Sequence, residues 1–305
     1  MSQSRVGENR KRRIVSAVRR WYRKNGRVLP WRCERNPYRV LVSEIMLQQT
    51  QVSRVLMIYP QFLKKYPTLR HLARARMSSV IRAWKGMGYN NRALRLRKLA
   101  QRVVSEFHGV LPRTIEELRT LPGVGRYTAN AVACFAFGLR IPVVDTNISR
   151  VLGRLFAFKT RNVVAHPFDA WARAEEMLPH RNTGEWNQAL MDLGAAVCTA
   201  ASPRCDHCPL HLLCPSAHRI HKNERRTARL EPGRNGVPNR IYRGRIVQAL
   251  RRLKPGGTIP PGVLARKIKV DIRQKDRRWF QSLLHSLERD GLIQWHGRSR
   301  ISLPD

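Results

Sequence analysis

Residues 121–132 read LPGVGRYTANAV, and the way this stretch folds decides what kind of protein the chain is. The residues before it, TIEELRT (114–120), predict a short helix, and RYTANAVACFAFG (126–138) predicts a second. Leu121–Gly125 breaks the run between them. Its two glycines, Gly123 and Gly125, let the backbone come close to a ligand and leave amide N–H groups pointing outward at a helix start. That geometry holds a phosphate without regard to base sequence. Taken alone, the five residues read equally well as a plain helix–helix turn.

Downstream comes PVVDTN (142–147), where Asp145 reads either as the cap of the next helix or as a working carboxylate. Further on, Cys198, Cys205, Cys208 and Cys214 have the spacing C-x6-C-x2-C-x5-C. Six cysteines in 305 residues, four of them clustered, do not make a disulfide scaffold; they read as a metal site in a reducing compartment. Four thiolates closing a short loop suit zinc or an iron–sulfur cube. A zinc knuckle usually presents two close pairs, whereas here only the middle pair is close. A purely structural staple accounts for the loop as well as a redox role does. Arg204 and His207 lie inside it, so its outer face is also able to meet phosphate. Cys33 and Cys134 read as ordinary thiols, Cys134 buried in its apolar helix.

Upstream, Glu44 sits in VLVSEIMLQQTQV (40–52), one of four acids in the first 115 residues. A carboxylate among apolar neighbours loses solvation, so its pKa rises and it becomes a general acid near neutral pH. It reads also as a buried Glu paired with one of many arginines. Taken with Asp145, it forms the pair of carboxylates that cleaves glycosidic bonds through an oxocarbenium-like transition state.

Composition narrows the partner. Lys and Arg total 59 against 20 Asp and Glu, a net charge of +39, while 42% of residues are hydrophobic. Such a chain buries cores yet carries a surface suited to a polyanion, and nucleic acid is the expected partner. Arginine outnumbers lysine 47 to 12, which favours forked phosphate contacts. The opening MSQSRVGENRKRRIV lacks an apolar signal-like core, and the longest apolar runs, Val40–Val42 and Ala131–Gly138, are too short to span a bilayer. The expectation is a cytoplasmic, nucleoid-associated monomer with no membrane partner.

The length allows two modest domains. Residues 11–24 predict a basic amphipathic helix with Ile14, Val15, Val18 and Trp21 inward, and helical periodicity continues to about Cys214, punctuated by prolines that include Pro37 and Pro60. The reading is mainly α: residues 1–221 as one domain, 222–238 as a linker and 239–305 as a second. In the last, Ile241–Leu253, Pro261–Ile268 and Arg278–Asp290 predict three helices, and LIQWHGRSRISL a hairpin turning near Gly297. That order suggests a winged helix, and Arg277, Arg278, Arg298 and Arg300 favour DNA as its ligand over a protein partner.

The order of these motifs resembles the helix-hairpin-helix, endonuclease III-like superfamily of base-excision glycosylases, whose [4Fe–4S] loop shows this cysteine spacing. Within it, LPWRCERNPYRVLVSEIMLQQTQV, GMGY, LPGVGRYTANAV, VVDTNISRV and the four cysteines look like MutY-type adenine DNA glycosylases, from about Leu29 to Cys214. The resemblance implies a monofunctional glycosylase releasing adenine mispaired with guanine or 8-oxoguanine in double-stranded DNA. Glu44 would protonate adenine at N7 and later activate water, and Asp145 would stabilise the sugar cation. Tyr127 and Asn147 would support the centre, and Arg32 would lie beside the base pocket. Gln49 and Tyr89, helped by Thr50 and Met87, would wedge into the duplex, and Gly123 and Gly125 would hold phosphate. Tyrosine at 127, where the nicking branch carries a lysine nucleophile, implies no strand cleavage. Thymine/uracil mismatch glycosylases of the same fold are the nearest alternative, and a non-catalytic iron–sulfur DNA-binding regulator is a more distant one. The large Nudix-like domain typical of the family is not matched here; a winged-helix-like tail takes its place, and Asn90 stands where the family often has a second aromatic.

Overall fold

The computed structural model describes residues 6–156, 168–219, 231–270, 274–297 and 299–305. Among these the chain is mainly helical. The helices are α1 (Glu8–Asn25), α2 (Pro37–Leu47), α3 (Val52–Lys65), α4 (Leu69–Arg74), α5 (Met77–Ala83), α6 (Asn91–Glu106) and α7 (Ile115–Thr120). They are followed by α8 (Arg126–Phe135), α9 (Thr146–Phe156), α10 (Ala170–Glu176), α11 (Thr183–Ala196), α12 (Asn239–Arg251), α13 (Pro261–Lys267) and α14 (Gln274–Arg289). Two short antiparallel pairs complete the described structure: β1 (Gly233–Arg234) with β2 (Val237–Pro238), and β3 (Gln294–His296) with β4 (Arg300–Ser302).

Local chemistry explains several boundaries. Asn36 Oδ1 accepts from the backbone N–H groups of Tyr38 and Arg39, and Pro37 takes the first position of α2, where a missing N–H costs nothing. Pro60, expected to punctuate the helical pattern, lies inside α3, which continues through it. The basic helix read over 11–24 is longer by a few residues at its start, with Glu8 in its first turn and Arg23 and Lys24 in its last, both favourable to the helix dipole.

The described chain divides into two compact units. The first comprises Met1–Val40, Arg113–Arg119 and Val124–Thr227; the second comprises Leu41–Pro112, Thr120–Gly123 and Ala228–Asp305. In the first, the apolar stripe of α1, Ile14 and Val18, packs with Ile148, Leu152 and Leu155 of α9 and Trp186, Leu190 and Leu193 of α11. One carboxylate pins the segment after α1 to this core. Asp192 on α11, 1% exposed, accepts from Arg27 N at 2.9 Å and Arg27 Nε at 2.7 Å. It also accepts from both terminal nitrogens of Arg32 at 2.6 Å. Burial pushes its carboxyl up, but these donors outweigh burial and hold it below the usual Asp value.

In the second unit α4 and α5 pack on α6, and the C-terminal segment forms three helices and a hairpin in the order expected of a winged helix. Ile259 bridges to Ile301 and so brings a third extended segment to the β3–β4 pair. The core of this module, including Ile246, Leu250, Leu264, Phe280 and Leu284, is continuous with Met77 and Ile81 of α5 and Leu94 of α6. Arg251 at the end of α12 donates to Ile81 O at 2.9 Å and to Asn90 Oδ1 at 2.7 Å, and Arg82 donates to Arg251 O. Of the stretch read as a linker, 222–230 lies outside the described residues. Inside the rest, Asn235-Gly236 has two positive φ angles, 49° and 72°, and turns β1 back onto β2. This is the tight turn that an Asn-Gly pair favours between short strands, a signal the sequence carries openly.

Replacing Asp192 by Asn strands a buried guanidinium without its anion, and a loss of about 3 kcal/mol in unfolding free energy is expected at pH 7. Because the folded carboxyl titrates below its unfolded value, this stabilisation is present above the unfolded Asp pKa and is lost as pH falls through the folded one. Thermal melts of wild type and Asp192→Asn should therefore differ fully at neutral pH and converge under acid. A gap that persists in acid would show that the contribution is not ionic.

Candidate functional site

The hairpin region is built as the sequence implies. Thr114 Oγ1 accepts from Glu117 N and donates to the Glu117 carboxylate at 2.6 Å, a reciprocal cap that starts α7. Gly123 has φ +82°, and an added Cβ would lie 3.2 Å from Arg95 Cβ, so both conformation and neighbours require glycine. Gly125 differs. Its φ is −91°, and a Cβ there would meet no protein atom within 4 Å, so the open space it faces is room for a ligand. It begins α8, with exposed Arg126 next to it stacked 4.0 Å from the Trp171 ring centroid.

Tyr127, half-buried in the first turn of α8, packs against Ala131, Cys134 and Val143. The extended segment 141–143 is pinned by two buried amides: Asn130 donates to Pro142 O at 2.8 Å, and Asn187 donates to Ile141 O and accepts from Val143 N. This fixes the approach to Asp145. There Oδ1 accepts from Ile148 N at 2.7 Å, as the cap of α9, and Oδ2 accepts from Asn147 Nδ2 at 2.8 Å. Capping and a working role are thus compatible, since the cap orients the carboxylate. Asn147 Oδ1 in turn accepts from Arg150, which also donates to Gly194 O and, through Nε, to Cys198 O at 2.7 Å. A continuous chain of hydrogen bonds runs from the cysteine loop to Asp145.

Cys198, Cys205, Cys208 and Cys214 line one small cavity, together with Arg154 and His211, and all four thiols are free. Arg154 donates to Cys198 Sγ at 3.2 Å and to Thr199 O, while its own carbonyl accepts from Ser216. Burial pushes the Cys208 thiol up to about 11, with the neighbouring cysteines adding to it. Among the described residues no three His, Cys, Asp or Glu side chains are grouped as a site for a single metal ion. The donor set, four soft thiols on one cavity wall and no carboxylate, fits an iron–sulfur cluster. Cys134 is buried, as expected, and Cys33 is exposed.

In the second unit, Glu44 lies on α2 and is 5% exposed, flanked by buried Ser43, Ile45 and Met46. The C-terminal end of α2 and the two loops expected to enter DNA converge on Arg92. Its Nη1 donates to Ile45 O, Met46 O and Gln48 O at 2.8, 2.9 and 2.5 Å. Its Nη2 donates to Thr50 Oγ1, Met87 O and Gly88 O at 2.8, 3.0 and 3.3 Å. The guanidinium also faces the rings of Trp84 and Tyr89. Burial lowers it to about 10, so it remains a cation at neutral pH. The loops it ties carry Gln49 and Tyr89, both with positive φ (53° and 41°) and both exposed. Non-glycine residues in that conformation are held there by their surroundings.

Other expected DNA contacts are placed differently. Met87 is buried, and its carbonyl serves Arg92 and Thr50. Thr50 is part of the same support. Arg32 is engaged by Asp192 and lies over the Tyr22 ring. In the C-terminal module Arg277 and Arg278 are exposed, Arg300 is tied to Thr258, and Arg298 lies outside the described residues. Arg92, Arg150 and Asp192 escaped sequence reasoning because no motif marks them.

The comparisons agree with this construction. Residues 42–172 match the HhH-GPD superfamily of base excision DNA repair proteins. The chain is 40% identical over 288 residues to an adenine DNA glycosylase of Mycobacterium tuberculosis, spanning 93% of this chain and 91% of that protein. Such coverage includes most of the C-terminal module. Among solved structures, the chain resembles a thermostable thymine-DNA glycosylase, with TM-score 0.64 and 32% identity over 70% of this chain and 98% of the other. It also resembles endonuclease III in a non-covalent DNA complex, with TM-score 0.57 and 26% identity over 68% of this chain and 97% of the other.

Arg92→Met removes every donor that serves the carbonyls at the end of α2, and urea unfolding should register a loss of about 3 kcal/mol. Arg92→Lys keeps the charge but not the fork, and an intermediate loss is expected. Equal losses for the two would mean that the hydrogen-bond geometry is irrelevant.

Proposed function

The chain belongs to the adenine DNA glycosylase family of base-excision repair enzymes, and we propose that its substrate is adenine mispaired with guanine or 8-oxoguanine in double-stranded DNA. It is a monofunctional glycosylase that hydrolyses the N-glycosidic bond. The observation that carries the residue assignment is the pairing of a buried acid, Glu44, in an apolar helix with a second carboxylate, Asp145, oriented by two N–H donors.

In this reading the adenine leaves the stack, and Gln49 and Tyr89 fill the gap from loops already held in strained backbone conformations. Glu44 gives its proton to adenine N7. The C1′–N9 bond then breaks with its electron pair passing to the purine, leaving an oxocarbenium-like sugar. Asp145 stabilises that cation, and the Glu44 carboxylate takes a proton from water as the oxygen adds to C1′. The products are free adenine and an abasic site. Tyr127 supplies a phenol where a Schiff base would need an amine, so the strand is left intact. Asn147 holds Asp145, Arg32 stays beside the base pocket, and the amides at Gly123 and Gly125 take backbone phosphate. Cys198, Cys205, Cys208 and Cys214 would hold a [4Fe–4S] cube, which when bound staples the loop that Arg150 joins to Asn147. The charge of +39 supports a monomer bound to the nucleoid in the cytoplasm.

The likeness to a thymine-DNA glycosylase favours one second reading, release of thymine or uracil opposite guanine. A single-turnover base-release assay separates the two on duplexes carrying A·G, A·8-oxoguanine, T·G and U·G. Adenine release that falls by about a hundredfold or more in Glu44→Gln is the expected result. Release of thymine or uracil with adenine untouched would move the chain to the second reading.

Cys208→Ser should lose bound iron and visible absorbance in protein purified without air. Full iron content in that variant would remove Cys208 from the ligand set.

A further inference from the structure

A cavity of about 550 Å³ lies in the second unit between the loops that carry Gln49 and Tyr89 and the first helix of the C-terminal module, α12. It is large enough for a nucleotide base. Its walls include Gln49, Tyr89, Asn90 and Arg95 on one side and Arg240 and Gly244 on the other. The second wall is fixed in place. The module shares its core with α5 and α6, and Arg251 holds Asn90, the residue next to Tyr89.

We propose that the C-terminal module of this chain is a specificity element, and that this cavity takes the purine left unpaired in the strand opposite the extruded base. The inference rests on the glycosylase reading given above. Once a base has been withdrawn, its partner loses its hydrogen bonds, and groups beside the wedge must satisfy that exposed edge. The polar lining consists of amides and guanidinium groups. A guanine-type purine presents the acceptors O6 and N7, which a guanidinium fork matches, whereas adenine and cytosine present an amino group that a guanidinium cannot accept from. The Nε of Arg240 is held by Glu231 in an exposed pair, a weak tether that binding can displace. Gly244 belongs to a helix, yet a Cβ added there meets no protein atom within 4 Å. A larger side chain at 244 therefore enters the cavity and leaves the fold alone.

The test uses the full chain, with Gly244→Leu and Arg240→Ala, in single-turnover adenine release and in duplex binding. Adenine is placed opposite guanine, cytosine or a tetrahydrofuran abasic residue, and melting curves verify that each variant is folded. Gly244→Leu should slow release opposite guanine by about tenfold or more while leaving release opposite the abasic residue near wild type, because no base then seeks the cavity. Arg240→Ala should reduce the preference for guanine over cytosine by about tenfold. Gly244→Leu acting equally on both duplexes, or on neither, overturns the proposal. So does an Arg240→Ala effect equal for every opposite base, which would make the residue a phosphate contact. If wild type releases no adenine, the glycosylase reading fails separately and the binding constants carry the test. The cavity then stands only if Gly244→Leu weakens binding to the guanine duplex and spares the abasic one.

Discussion

One buried arginine holds the DNA-facing half of the second unit together. Arg92 satisfies the last carbonyls of α2, the helix that carries Glu44, and with its other nitrogen the carbonyls of the loop that presents Tyr89. A helix end has carbonyls without intrahelical donors and a partial negative charge, and a guanidinium answers both needs. Its planar fork reaches two loops at once, which an ammonium on a flexible stem does poorly. The catalytic candidate and the wedge candidates thus depend on the same side chain. Their positions cannot vary independently.

The same solution recurs through a chain that has nearly three cations for each acid. Arg97 donates to Ala75 O, Arg70 to His108 O, Arg102 to Thr120 O and Arg140 to Pro179 O and Leu178 O. With 59 basic and 20 acidic residues, most arginines cannot pair with a carboxylate, and backbone carbonyls at turns and helix ends take that place. Neutral acceptors leave the positive charge uncancelled. The arrangement therefore supports the fold and preserves the field that attracts a polyanion. Asp192 is the instructive exception, a nearly fully buried anion whose two arginines close the segment after α1 onto α11. Arg150 joins the two modes, serving carbonyls at Gly194 and Cys198 and the side chain that orients Asp145.

Much of this was legible in the sequence because it depended on local rules. The break at Leu121–Gly125, the helices of the tail and the turn near Gly297 follow from glycine, periodicity and length, and the cysteines declare themselves by spacing. Glu44 was legible as an acid in apolar surroundings. What stayed hidden was long-range. Nothing near Arg92 in the chain distinguishes it from Arg95, which is exposed, or from Arg97, which serves another turn; the difference is made by carbonyls more than forty residues away. Met87 was read as a DNA contact from its neighbourhood in the motif, yet its side chain is core and only its carbonyl takes part. Periodicity does not reveal which atom of a residue is used.

The C-terminal module shows how an added domain acquires a role through packing. A winged helix on a free tether would contribute charge and little else to a site it does not touch. Here its core is continuous with α5 and α6, and Gly291, at φ +71°, lets the chain pass within 3.2 Å of where a Cβ would meet Leu94. Arg251, drawn down to about 10 by burial, spends its donors on Ile81 O and on Asn90, the residue beside the exposed tyrosine. An aromatic side chain at position 90 would offer that guanidinium no amide oxygen. Asparagine there and arginine at 251 are therefore best understood as one feature, a polar clasp through which the module is fixed to the loop that enters DNA.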